Sequence, residues 1–413
     1  MNDSLTPDEQ AAQLTRGTEE VLPHDELLAR LRVCAGEKRP LRVKQGFDPT
    51  APDIHIGHAV GLKKLRQFQD LGHQVVLIVG DYTGRVGDPS GRSKTRPLLS
   101  DEEIERNAAT YLDQFYRVLE RAPKAPRLVV EVHRNGEWFS RMSFIEVMRL
   151  ASEYTVAQLL ERDDFAKRYA AGQAIGVHEL MYPLMQGYDS VAIKSDVELG
   201  GTDQKFNLLV GRVLQEVNAQ PPQIVMTMPL LPGLDGVQRM SKSLGNYVGV
   251  TDVPADMFGK IMSLPDTAMP LYWRLATDST AEELAAIGRE LADPSVNPMS
   301  IKKRLAARIV TTYHGAEAAA RAQSDFEAQF SRHEIPKDLP IWTADSAGEL
   351  GIKDLLVRAG LARSGSEAWR AVDQGAVSID QVRVGDRNHR QELGKPFVLR
   401  LGRRMVRVQP QSR

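Results

Sequence analysis

The chain has 413 residues, 42% hydrophobic and 26% charged, with 53 Lys+Arg against 54 Asp+Glu. That length allows roughly two to four domains with real cores, and the net of −1 excludes a wholly basic nucleic-acid coat or an acidic disordered chain. A single cysteine, Cys34, excludes a disulfide scaffold or a Cys-rich zinc site and fits a reducing compartment. The first ten residues carry no apolar leader, and the densest apolar run, Val75 to Val79, is far short of a bilayer span. A cytoplasmic protein without membrane segments is expected.

Taken in chain order, Leu41 to Phe47 reads as a strand that ends in the loop Asp48-Pro49-Thr50-Ala51-Pro52-Asp53. Gly57 to Leu71 follows with apolar positions Val60, Leu62, Leu65 and Phe68 at helical spacing. Gln74 to Gly80 is an uninterrupted apolar strand of the kind buried on both faces of a parallel sheet. Glu102 to Arg121 predicts a helix and Arg127 to Val132 a third strand. The alternation of β and α predicts an α/β fold with a doubly wound parallel sheet.

From about 136 to 195 the pattern turns helical, as an insertion into that sheet would. Asp196 to Leu199 and Gln223 to Met228 resume strands, so residues 1–246 form one expected domain. Residues 247–335 read as an Ala-rich helical domain broken at Pro265, Pro270, Pro294 and Pro298, and 336–350 as a linker. The last stretch, 351–413, holds 13 Lys+Arg and 6 Asp+Glu, a net of +7, leaving −8 on residues 1–350. A small basic module on an acidic body is the footprint of a nucleic-acid-binding appendage, although a merely solvated basic surface would have the same composition.

Two constellations carry chemistry. His55-Ile56-Gly57-His58 opens a helix directly after a strand and a Pro-containing loop. Two histidines three apart lie near one face of the first turn, beside unpaired N–H groups and the positive dipole end, a setting that suits phosphates. Gly57 removes a side chain where a base or ribose must come close. Two structural histidines would give the same string, and no other His clusters with them as a metal site would require. Some 180 residues on, Arg239-Met240-Ser241-Lys242-Ser243 sits among Gly233, Gly236 and Gly245. Two cations three apart on a Gly-flanked loop suit a polyphosphate and the charge that grows on departing pyrophosphate. Gly87-Asp88-Pro89-Ser90-Gly91 followed by Arg92 has the wrong spacing for a P-loop, so Arg92, Lys94 and Arg96 are expected in a basic loop beside phosphates.

Together the two strings resemble the paired signatures of class I aminoacyl-tRNA synthetases. Gly46-Phe47-Asp48-Pro49-Thr50, Gly87 to Gly91, the run Tyr182 to Asp189 and Gly200-Gly201-Thr202-Asp203-Gln204 narrow the resemblance to the tyrosyl-tRNA synthetase family, in its bacterial form. The tail, with LLVRAGLARSGSEAWRAVDQGAVSID, is similar to an S4-type RNA-binding domain. The resemblance implies a Rossmann-like catalytic domain with a helical insertion, then an α-helical anticodon-recognition domain and a small α+β S4-like domain. It also implies a homodimer that uses L-tyrosine, ATP with Mg2+ carried by its phosphates, and tRNA(Tyr), with no metal held by the protein.

By the same resemblance, Tyr182, Gln186 and Asp189 line the tyrosine pocket with Thr83, Asp88 and Gln204, and Asp189 meets the substrate phenol. Their spacing of four and three places the first three on one helical face, flanked by Met181, Leu184 and Met185. ATP falls to Gly46, Asp48, Gly57, Arg92, Arg96 and Lys242, and charge stabilisation to Thr50, His55, His58, Arg239 and Lys242. Two positions depart from the pattern. Lys44 stands where many relatives carry a phenol-contacting Tyr, and Arg239 replaces the first Lys of the second signature. Other readings are a tryptophanyl-tRNA synthetase, a small nucleotidylyltransferase sharing the His-x-Gly-His corner, or a non-catalytic RNA-binding paralogue. The Tyr182–Asp189 run and the tail argue against the first, the RMSKS loop and the tail against the second, and intact His55, His58 and Lys242 against the third.

Overall fold

A computed structural model describes residues 5–90, 100–242, 244–328, 339–344, 348–402 and 404–410. The chain forms two compact units, 1–322 and 323–413. Among the described residues no helix is long and apolar enough to cross a membrane.

Six strands form the central sheet of the first unit: β1 (Glu20–Leu22), β2 (Arg42–Phe47), β3 (Gln74–Val79), β4 (Glu131–Arg134), β5 (Val197–Gly201) and β6 (Ile224–Met228). Their order is β1-β6-β5-β2-β3-β4, parallel throughout except for β1, which runs antiparallel along β6. The chain leaves β2 for β3 and β4, then returns on the other side of β2 to lay down β5 and β6. This is the doubly wound arrangement, with its switch point between β2 and β5. The sheet interior is built from the apolar runs of the sequence: Val43, Val75 to Val79, Val197, Leu199 and Ile224 to Met226 are all buried.

The helix Ile56–Asp70 packs on β2, β3 and β5, and the helix Lys205–Val217 packs on β5 and β6 and against Val177–Ile193. Two details differ from the sequence pattern. The third strand forms at 131–134, four residues late, because its pairing with β3 begins where Glu131 meets Val76. The edge strand β1 is three residues long, too short to show a period of two.

Between β4 and β5 the chain is helical, with Phe144–Ser152, Asp163–Ala170 and Val177–Ile193 as its longer elements. The region after β6 is helical too, and proline marks the starts of three of its helices. Pro254 and Pro298 open helices, and Pro270 lies in the first turn of Met269–Ala276. There the missing N–H breaks no helical bond.

The second unit is α+β. Strands β7 (Ile341–Thr343), β8 (Glu349–Gly351), β9 (Val377–Ile379), β10 (Val382–Arg383), β11 (Arg390–Glu392), β12 (Phe397–Leu401) and β13 (Arg404–Gln409) form a five-stranded sheet, β10-β9-β12-β13-β7, and a pair, β11-β8. Leu355 and Leu356 of the helix Ile352–Arg358 and Ala368 and Val372 of the helix Gly365–Asp373 share one core with Leu399, Val406 and Val408 of the sheet.

Candidate active site

The loops that leave the carboxyl ends of β2, β3 and β5 enclose a cavity of about 420 Å³. This is the crevice where open α/β sheets take their ligands. One end is lined by histidines and cations, the other by carboxylates and amides.

At the histidine end, His55 caps the helix Ile56–Asp70. Its Nδ1 accepts from the His58 N–H at 3.3 Å, and His58 Nδ1 accepts from the His55 N–H at 3.4 Å. The rings stack with centroids 3.7 Å apart. With both Nδ1 atoms accepting, the bonds assign the ring protons to Nε2. Burial pushes both histidines down, helped at His55 by His58 and then Lys242, and at His58 by Lys242 and Arg239: His55 falls far below its ordinary value and His58 to about 3. Both are neutral donors at physiological pH.

The second signature is tied to this helix start. Residues 54–56 and 248–250 are joined by Ile56 N–H to Val248 O and Val250 N–H to Ile54 O, each 2.9 Å. Asn246 shapes the loop itself, accepting from Ser241 N–H at 2.8 Å and donating to Asp235 at 2.7 Å and to the Arg239 carbonyl at 3.2 Å. Gly57 permits the approach, since a Cβ there would lie 3.0 Å from His55 Nδ1 and 3.6 Å from Met240 Cβ. Arg239 is paired with Asp203 at 3.2 Å. Lys242 lines the cavity, and burial lowers its ammonium to about 8, with Asp53 opposing.

At the carboxylate end, Tyr182, Gln186 and Asp189 project from the helix Val177–Ile193 into the cavity, as their spacing predicts. Asp48 joins β2 to that helix: it accepts from the Tyr182 hydroxyl at 2.8 Å and from Thr83 at 2.7 Å. Gly80 makes room for this junction, because a Cβ would fall 2.0 Å from Asp48 Oδ1. Asp88 accepts from Gln204 at 2.7 Å and from the Ser90 hydroxyl at 2.6 Å. Asp189 is 3% exposed and accepts from Trp138 Nε1 at 3.0 Å and Asn135 Nδ2 at 3.3 Å. Burial raises its carboxyl to about 7, although Lys44 and these two donors pull it down. Burial also holds the Tyr182 phenol well above its ordinary value, so it stays a neutral donor.

The cavity therefore brings together Gly46, Asp48, Thr50, His55, Gly57 and His58 from the first motif region, and Thr83, Asp88 and Gln204 from the loops. It adds Tyr182, Gln186 and Asp189 from the insertion, and Arg239, Met240, Ser241 and Lys242 from the second motif. Ile56 is buried and does not line it. Arg92, Arg96 and Ser243 lie outside the described residues. Sequence reasoning missed Asn135, Trp138, Arg162 and Asn207. Asn207 donates to Gln186 at 2.9 Å and Gln204 at 3.1 Å, and Arg162 pairs with Asp88 at 3.5 Å. Asn207, three residues beyond Gln204 on the same helical segment, was the one open to a spacing argument.

Residues 36–331 match the family described as tRNA synthetases class I (W and Y). The chain is 52% identical over 391 residues to the tyrosine–tRNA ligase of Moorella thermoacetica, covering 95% of this chain and 93% of that protein. It is 50% identical over 400 residues to the tyrosine–tRNA ligase of Thermotoga maritima, covering 97% of each. The chain belongs to the tyrosine–tRNA ligase family. The fold of the family recurs in a C-terminally truncated mitochondrial tyrosyl-tRNA synthetase of Aspergillus nidulans, with a TM-score of 0.64 at 22% identity over 80% of this chain and 95% of that one. It recurs also in an Archaeoglobus fulgidus tyrosyl-tRNA synthetase solved with L-tyrosine, with a TM-score of 0.61 at 21% identity over 77% of this chain and all of that one.

Proposed function

We infer that this member of the tyrosine–tRNA ligase family activates L-tyrosine with ATP and transfers it to the 3′-terminal adenosine of tRNA(Tyr). The observation that carries this reading is the pairing within one cavity of a buried carboxylate, Asp189, with the His55–His58 helix start and Lys242. The phenol of tyrosine donates to Asp189, while Tyr182, Gln186 and Asp88 hold the α-ammonium group, with Thr83 and Gln204 around them. Phenylalanine would leave Asp189 buried without that partner, a cost of roughly 1–3 kcal/mol or more. Tryptophan would bring a bulkier ring to the same wall.

ATP lies across Gly46, Asp48, Gly57 and the histidines. A tyrosine carboxylate oxygen attacks the α-phosphorus, the bond to the bridging oxygen of the β-phosphate breaks, and pyrophosphate leaves with that electron pair. The carboxylate is ionised at neutral pH, so this step needs no general base. What the chain supplies is alignment and charge: Thr50 and the neutral Nε2–H donors of His55 and His58 face the phosphates, and Lys242 and Arg239 follow the departing pyrophosphate. Mg2+ enters with the ATP phosphates as part of the substrate. The nearby carboxylates fit that role poorly, since Asp48, Asp88 and Asp203 are already engaged by Tyr182, Gln204 and Arg239.

In the second step the terminal ribose hydroxyl attacks the adenylate carbonyl and AMP leaves. The basic 351–413 segment, with exposed Arg363, Arg370, Arg383 and Lys395, is the proposed contact with tRNA phosphates. A homodimer is proposed through the 136–195 insertion, where Phe144, Ile145 and Met148 are 79%, 58% and 50% exposed on one short helix. The free, buried Cys34 accords with a cytoplasmic setting.

ATP–pyrophosphate exchange tests the activation step: tyrosine should drive it, and exchange driven by tryptophan instead would sink the assignment. Removing residues 323–413 should spare exchange and abolish tRNA charging; equal loss of both would make the tail structural.

A further inference from the structure

Each of the two central strands carries one fully buried ionisable residue, and the register sets them face to face. Lys44 of β2 is the direct partner of Glu198 of β5. Their side chains are 0% and 1% exposed and form an ion pair of 2.9 Å. Burying such a pair costs more desolvation than an apolar pair of similar volume, so core stability alone does not account for it.

The remaining contacts show what the pair holds. The Lys44 ammonium has three donors, and all three are used: Glu198, the Gln186 carbonyl at 2.9 Å and the Ser190 hydroxyl at 2.8 Å. Glu198 accepts from the Gln186 amide at 3.3 Å, from Ser190 at 2.8 Å and from Gln223. Lys44 does not line the cavity. The pair therefore grips the residues that flank Asp189 from behind the pocket wall and fixes both ends of Gln186.

We propose that Lys44, with Glu198 as its counter-ion, is a positioning residue of tyrosine selection that acts through Gln186 and Asp189. This rests on reading the carboxylate end as the tyrosine pocket. The pair also sets the charge of Asp189. Lys44 from β2 favours the carboxylate, and Glu198 from β5 opposes it. The other ionisable groups around this end include Tyr182 on the same helix, Asp48 after β2, and Asp88 after β3 with its partner Arg162. The 135–138 segment presents neutral Asn135 and Trp138, and the helix Lys205–Val217 packs with apolar Val210 and Leu214. An ionised Asp189 accepts from the phenol. The two charges of the pair therefore pull tyrosine recognition toward opposite pH ranges.

The test is ATP–pyrophosphate exchange by the full-length protein, with kcat/KM for tyrosine and for ATP measured from about pH 5.5 to 8.5, the span around a carboxyl raised toward neutrality. The variants are Lys44→Met, Glu198→Gln and the double substitution. The acid limb of the tyrosine parameter should move up by about one pH unit in Lys44→Met and down in Glu198→Gln, the effect expected from losing one adjacent charge. The double variant should fall between them, with ATP parameters within about twofold because the nucleotide end does not share these contacts. A purely structural role would lower activity in all three without opposite shifts. Limbs that stay put, or that move the same way, overturn the proposal. If Lys44→Met does not fold, the downward shift in Glu198→Gln decides alone. Wild-type exchange that ignores tyrosine would overturn the pocket reading and this proposal together, whereas tyrosine-dependent exchange with unmoved limbs overturns only the role of Lys44.

Discussion

Burial acts on both ends of the cleft with opposite consequences. At the histidine end it strips protons: His58 falls to about 3, and Lys242 to about 8. At the carboxylate end it returns them, raising Asp189 to about 7. The same desolvation leaves the histidines as fixed neutral donors across the physiological range and leaves Asp189 poised to titrate within it. The difference teaches where pH sensitivity resides. On the proposed reading of the site, between pH 5 and 7 it belongs to amino-acid selection, and only above about 8, where Lys242 loses its proton, does it belong to ATP.

The largest test of this contrast is Lys242→Met. It should lower kcat for pyrophosphate exchange by roughly 10²–10³, the loss typical of one group that stabilises transition-state charge, and leave tyrosine affinity unchanged in equilibrium binding. A matching loss of tyrosine affinity would erase the division between the ends. Asp189→Asn should weaken tyrosine by about 1.5–3 kcal/mol, the worth of a hydrogen bond to a charged group, and reduce rejection of phenylalanine in competition assays. Unchanged discrimination would remove its phenol role. Trp138→Phe keeps the ring packing and deletes one donor to Asp189, so tyrosine affinity should fall by about 1 kcal/mol. The smallest effect is expected from Asp203→Asn. The Arg239–Asp203 pair is partly exposed, at 40% and 23%, and screening limits such a pair to a few tenths of a kcal/mol, or less than about threefold in KM for ATP.

Much of the fold was legible, because parallel strands buried on both faces must be written as apolar runs, and Val75 to Val79 is such a run. The edges were not. β1 is too short to carry a pattern, and β4 is placed by its register with β3. Motif residues at strand ends were legible because their chemistry is unusual for their positions. Asn135, Trp138 and Arg162 were not, since only the return of the chain from the insertion brings them to Asp189 and Asp88. The Lys44–Glu198 pair lies between these cases. A lone Lys and a lone Glu in strands buried on both faces each ask for a partner, but only the β2–β5 register shows that they answer one another.

The most direct measurement is calorimetric binding of L-tyrosine, without ATP, to the wild type and to Asp189→Asn across the same pH range. The account predicts wild-type affinity that is level above about pH 7 and falls roughly tenfold per unit below it, as a required carboxylate is protonated, with no such limb in the variant. Tyrosine affinity that is flat through pH 7 in the wild type, or a limb that survives in Asp189→Asn, would contradict it.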